Sequence, residues 1–235
     1  MSQLAFDFGP PPAPDFDNFV TGANAECVAA LKALVASLHA GTPAAARFIY
    51  VWGPPGAGKT HLAQALLAGQ APGLLVADDC DRLDATAQQE IFHAFNRLTQ
   101  SASGGFVGFG AVAPARLAVL PDLASRLAWG SVYRLEPLDD LAMRAAWEEA
   151  ARARGLQIGE DVGAYLLRHA RRNMGELKAI LDRLDRLSLE RKTPVTVALL
   201  RDDLQYQLAR SSGPDATNGP EPAPGSVAAG HRMPE

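Results

Sequence analysis

An α/β fold built on a parallel sheet, followed by a separate helical unit, is predicted by three observations. The first is the octapeptide Gly53-Pro54-Pro55-Gly56-Ala57-Gly58-Lys59-Thr60, a complete G-x-x-x-x-G-K-[ST] phosphate loop between an apolar run at 48–52 and a helical stretch at 61–68. The second is the alternation of short apolar runs with helical periodicity as far as about residue 138, the pattern of strand–helix–strand units with crossover helices. The third is the switch to purely helical periodicity from Asp139 onward.

The elements follow in order. Residues 1–15 carry Pro10, Pro11, Pro12 and Pro14, which forbid a helix and a central strand, so an extended arm is expected. A helix at 25–40 is indicated by Val28, Leu31, Leu34, Val35 and Leu38 at helical spacing. Beyond the phosphate loop, residues 74–77 read as a short buried strand ending in Asp78-Asp79. Residues 85–101 read as an amphipathic helix carrying Ile91, Phe92, Phe95 and Leu98. Strands at 106–111 and 131–135 enclose a short helix at 121–127. Helices are expected at 139–154, 160–170, 173–190 and 196–206. The last 25 residues hold five prolines and four glycines with almost nothing large and apolar, a composition that cannot offset its ordering entropy. The chain thus divides into an arm (1–15), a nucleotide-binding α/β domain (16–137), a helical lid (138–208) and a disordered tail (209–235).

The chemistry centres on phosphate. In such a loop backbone N–H groups point inward at a polyphosphate, and the dipole of the following helix adds positive potential. The nucleotide-binding candidates are Gly53, Pro54, Pro55, Gly56, Ala57, Gly58, Lys59, Thr60 and His61, with Lys59 as the cation for the β- and γ-phosphates. Thr60 and Asp78 are the candidates for holding Mg²⁺, and Asp79 for orienting an attacking water. The strand at 106–111 is expected beside the γ-phosphate, yet it ends in Gly110-Ala111 with no side chain able to polarise water. In the lid, Gly175 stands where a cation would be useful. Binding of ATP or ADP is therefore better supported than turnover. Arg126, at the sheet edge expected to lie far from the phosphate loop, is the catalytic candidate for a nucleotide held by a neighbouring molecule.

Composition narrows the classes. The 235 residues are 48% apolar with net charge −4, enough for an ordinary core and unlike a DNA-coating protein. Between Arg144 and Lys192 there are eleven Lys/Arg against eight Asp/Glu, the pattern of solvated helix faces. Cys27 and Cys80 are too few for a disulfide framework or a zinc site. Without a long apolar run or a leader pattern, a soluble cytoplasmic protein is expected.

Four stretches resemble DnaA-family AAA+ proteins, within them the branch that inactivates the replication initiator: residues 3–8 (Gln-Leu-Ala-Phe-Asp-Phe), 16–22, 53–62, and Leu120-Pro121-Asp122-Leu123-Ala124-Ser125-Arg126-Leu127-Ala128-Trp129-Gly130. The likeness runs from about residue 3 to 208, more loosely in the lid. It implies an AAA+ sheet with a helical lid, and a protein held on the DNA polymerase sliding clamp that promotes hydrolysis of ATP bound to DnaA. Arg126 would be the arginine finger offered in trans, and Gln3, Leu4, Phe6 and Phe8 the clamp-binding peptide, an alternating apolar ligand on an extended arm. Residues 16–22 resemble the segment near the adenine. There are departures. Only 17 residues separate Thr60 from Asp78, where the family inserts a further strand and helix, so about four strands are expected. Ala111 and Gly175 replace the acidic and arginine sensors of DnaA, and nothing after residue 208 resembles its helix-turn-helix, which argues against sequence-specific DNA binding. Two alternatives remain: an autonomous P-loop ATPase such as a helicase loader, and a non-enzymatic clamp adaptor. Self-association stays open.

Overall fold

The computed structural model describes residues 13–156, 158–169, 174–191 and 193–211. Gln3, Leu4, Phe6, Phe8 and residues 212–235 lie outside them, whereas residues 209–211, expected as the start of the tail, are helical. The chain forms two compact units, one from Pro14 to Leu138 and one from Asp139 onward.

The first unit contains α1 (Ala25–Ala40), β1 (Phe48–Trp52), α2 (Lys59–Ala68), β2 (Leu74–Ala77), α3 (Ala85–Gln100), β3 (Gly105–Gly110), α4 (Pro121–Leu127) and β4 (Ser131–Arg134). The four strands form one parallel sheet in the order β2-β3-β1-β4, with Ile49 opposite Val107 and Ser131. The expected strand count therefore holds, but one neighbour relation, that of β4, differs from the sequence reading. β3 separates β2 from the phosphate-loop strand, so Asp78 and Asp79 end a strand that is not adjacent to β1. β4 is an edge strand, yet it pairs directly with β1 instead of lying far across the sheet from it.

Both faces of the sheet are covered, and side chains alternate between them. Ile49, Val51, Val107 and Phe109 point to the face covered by Val28, Leu31 and Leu34 of α1 and Leu62 and Leu66 of α2. Tyr50, Ala77 and Phe106 point to the other, against Ile91 and Phe95 of α3 and Leu123 and Leu127 of α4. Each fully buried Leu, Ile or Phe stabilises the unit by about 1.5–3 kcal/mol relative to exposure.

Local chemistry sets the element ends. Asp84 caps α3 by accepting the Ala87 N–H at 2.8 Å. At its other end Arg47 donates to the carbonyls of Leu98, Ser103 and Gly104 at 2.8–2.9 Å, taking up acceptors that a helix end leaves open. Buried Asn24 exchanges two hydrogen bonds with the backbone of Glu136, at 2.8 and 2.9 Å, which pins the segment entering α1 to the exit of β4.

The second unit is helical: α5 (Asp140–Ala153), α6 (Glu160–His169), α7 (Met174–Arg191) and α8 (Val197–Ser211). Its core is Met143, Trp147, Val162, Leu166, Leu177, Ile180, Leu181, Leu184 and Leu200. Asp139 caps α5 through the Ala142 N–H at 2.7 Å. Arg183 Nε meets both carboxylate oxygens of buried Asp203 at 3.0 Å, a link between α7 and α8 whose breakage would strand a charge. Among the described residues, no helix is long and apolar enough to cross a membrane.

Candidate functional site: two ends of one sheet

At the carboxyl end of β1 the ladder runs straight into the phosphate loop: the Gly53 amide donates to Gly110 O of β3 at 3.2 Å. The chain then turns back into α2, whose N-cap, Gly58, has φ +98°. A side chain at Gly58 would be strained there and would meet the Phe19 ring, 2.6 Å from the position of a Cβ. Phe19 in turn packs on His61 at 5.4 Å, and His61 Nε2 donates to the Asp15 carbonyl at 2.9 Å. His61 thus ties the segment at the root of the arm to α2, and residues 15–19 lie across the outside of the loop.

Lys59 leans back over the loop, its Nζ donating to Gly53 O at 2.8 Å and Pro54 O at 3.1 Å. Burial lowers its pKa, while the carboxylates of Asp78, Asp81 and Asp79, in that order of strength, oppose the shift. An arriving phosphate would give this desolvated ammonium the anion it lacks. Thr60 is exposed in the first turn of α2, and Asp78 is half-buried, its Oδ1 accepting the Asp79 N–H at 2.9 Å. A hydroxyl and a carboxylate are hard oxygen donors suited to Mg²⁺, which takes only one or two protein ligands when phosphates supply others. Among the described residues there is no group of three or more His, Cys, Asp or Glu suited to a metal.

Asp79 is exposed and left-handed, with φ +48°. Its field at Lys59 is weaker than that of Asp81, which the sequence reading missed. Asp81 Oδ1 accepts the Ala111 N–H at 2.7 Å, so a carboxylate stands at the tip of β3, where the sequence itself offers only Gly110 and Ala111. The signal was available. A tight turn after β2, continuing as a 3-10 turn over Cys80–Arg82, brings the third residue after Asp78 back towards the same strand ends. Tyr50 braces the same tip, its hydroxyl donating to Val112 O at 3.2 Å; burial pushes its phenol pKa upward.

Arg126 lies at the opposite end of the sheet. It sits in the last turn of α4, half-buried, with its guanidinium 5.8 Å from the Trp129 ring centroid. Trp129 packs on Phe48, the first residue of β1, at 5.6 Å, whereas the phosphate loop follows Trp52, the last. A five-residue strand spans about 13 Å between its end residues. Among the described residues no carboxylate pairs with Arg126. The separation from the chain's own phosphate loop therefore runs along β1, and not across the sheet as the sequence suggested.

Comparison with known proteins gives this geometry a context. Residues 139–204 match the profile of the Hda lid domain. Residues 139–204 thus form an Hda-type lid domain, carried on an AAA+ fold. Solved structures share the fold at low identity. Domain III of the Thermotoga maritima replication initiation protein DnaA superposes with a TM-score of 0.68 at 21% identity, over 83% of this chain and 98% of that one. AMPPCP-bound DnaA from Aquifex aeolicus gives 0.66 at 19%, over 85% and 71%. The Thermotoga maritima RuvB Holliday junction branch migration motor gives 0.60 at 16%, over 82% and 72%. Against that AAA+ frame, the phosphate loop, Asp78 and Asp81 gather at the carboxyl ends of the strands, where open α/β sheets bind ligands. Arg126 does not join them.

Proposed function

We propose that this AAA+ protein is a negative regulator of replication initiation that stimulates hydrolysis of ATP bound to DnaA, with Arg126 as an arginine finger acting in trans. The observation that carries this reading is the position of Arg126 about a strand length from its own phosphate loop, with no carboxylate pairing with it among the described residues. A guanidinium presented to the γ-phosphate of a neighbouring molecule stabilises charge that grows in the transition state, an effect worth on the order of 10³–10⁵ in rate. The chain's own site binds ADP or ATP through residues 53–61, with Lys59 on the phosphates and Mg²⁺ held by Thr60 and Asp78. Mg²⁺ there would neutralise phosphate charge. Asp79 orients water if the resident nucleotide turns over. That turnover is slow, because Gly175 provides no cation and the carboxylate at the β3 tip, Asp81, is engaged by the Ala111 N–H. Gln3, Leu4, Phe6 and Phe8 hold the protein on the sliding clamp, which concentrates Arg126 near its target.

The test is turnover of ATP prebound to DnaA, with and without loaded clamp. Arg126→Ala should retain nucleotide and clamp but lose the acceleration. Deleting residues 1–8 should remove only its clamp dependence. Unchanged acceleration by Arg126→Ala rejects the role. A helicase-loader-like ATPase would instead hydrolyse ATP without any partner.

A further inference from the structure

Arg126 is the last-turn arginine of a seven-residue helix, and a side chain that long at such a position is ordinarily disordered unless something fastens it. Arg47, Arg154 and Arg183 are each fastened to oxygen atoms. Arg126 has an aromatic face instead. Trp129 is 60% exposed, yet its indole packs on Phe48 at 5.6 Å and Phe95 at 6.2 Å, both part of the aromatic cluster that continues to Phe106. The backbone leading out of it has one path. Trp129 N donates to Arg126 O at 3.1 Å, and Gly130 lies against the Phe48 carbonyl so closely that no Cβ fits.

We propose that Trp129 is the positioning residue for Arg126, a rigid π platform that holds the guanidinium in place without neutralising it. The inference rests on the reading that Arg126 acts on a partner's nucleotide. A carboxylate could order the same side chain, but it would compete with the phosphate for it and cancel the charge the transition state needs. An indole attracts the cation through its quadrupole and leaves every N–H donor available in the guanidinium plane. Pre-ordering matters because a reacting group displaced by about 1 Å can cost as much as a hundredfold in rate.

The experiment measures single-turnover loss of ATP from DnaA with clamp present, as a function of the full-length protein's concentration, for Trp129→Leu, Trp129→Phe and Arg126→Ala. Leucine keeps apolar bulk on Phe48 and Phe95 but has no π face; phenylalanine keeps a weaker one. The expected result is a saturating rate roughly tenfold lower for Trp129→Leu, with the half-saturating concentration within twofold of wild type and most of the rate restored by Trp129→Phe. A set of fluorinated tryptophans incorporated at position 129 preserves shape while weakening the ring face, so the rate should fall stepwise with fluorine number. A flat fluorine series overturns the proposal, as does a Trp129→Leu protein changed only in half-saturating concentration, which would make Trp129 an anchor for the partner. A faster Trp129→Leu protein also overturns it, because the ring would then be parking the arginine. Wild-type turnover by Arg126→Ala sinks the underlying reading instead; an inactive Arg126→Ala beside a normal Trp129→Leu sinks this inference alone.

Discussion

The two ends of the sheet in the first unit are opposites in charge and readiness. At the carboxyl end a desolvated lysine sits among Asp78, Asp81 and Asp79 and donates to two loop carbonyls, the end we propose for phosphate and metal. At the amino end Arg126 rests on an exposed tryptophan, a cation with no anion of its own among the described residues. One rigid strand joins the two and keeps them apart. On the proposed function, the contrast separates holding a nucleotide from acting on one within a single sheet, the second task being complete only with another molecule.

That separation can be broken or sharpened by substitution. The largest effect should come from Lys59→Ala, which removes a charge-assisted contact of about 1.5–3 kcal/mol and should weaken ADP and ATP binding on the order of ten- to hundredfold by titration calorimetry. Arg126→Ala should leave the same affinities within twofold, and a matching loss there would merge the two ends into one site. Next, Gly130→Ala drives a methyl group into the Phe48 carbonyl, so the fold should lose about 2–3 kcal/mol and several degrees of Tm, with a larger loss of partner activation than of nucleotide affinity. At the other end, Asp81→Ala leaves the Ala111 N–H without its acceptor, a cost of about 1–3 kcal/mol that should appear as faster amide exchange at residues 110–112. Asp81→Asn, which keeps an acceptor oxygen, should recover most of that protection.

At neutral pH the smallest expected effect is that of thiol ionisation, which is felt only in alkali. Burial pushes the thiols of Cys27 and Cys80 up to about 12 from 9.0, so between those values the native chain keeps protons that the unfolded chain releases. Stability should therefore be indifferent to these groups below pH 9 and fall as pH rises above it, and both thiols should resist a disulfide reagent until the protein unfolds. Rapid native-state labelling of Cys27 or of Cys80 would contradict the burial of the α1–α2 face or of the α3–α4 face of the sheet, respectively.

Much of this was legible in the chain. The octapeptide 53–60 falls between β1 and α2 as the sequence placed it, and strands β1 and β2 and helices α1 and α4 lie at the expected residues. The short Thr60–Asp78 connection correctly signalled a four-stranded sheet. What stayed hidden was non-local. Strand order depends on which crossovers pack together, so the insertion of β3 between β1 and β2 could not be read from any local pattern. Asp81 was overlooked beside the more conspicuous Asp78-Asp79 pair, since only the turn after β2 carries it to the tip of β3. Trp129 read as part of a motif, and its contact with Arg126 emerged only once Phe48 and Phe95 were seen to hold its ring.

The most direct measurement follows a labelled γ-phosphate. DnaA is loaded with γ-labelled ATP, this protein with unlabelled ADP, and release of label is timed with clamp present. The account predicts release that depends on Arg126 and is indifferent to whether this protein's own site holds ADP or a non-hydrolysable triphosphate. Label that leaves DnaA no faster in the presence of this protein, while label placed in its own site is released instead, would contradict it.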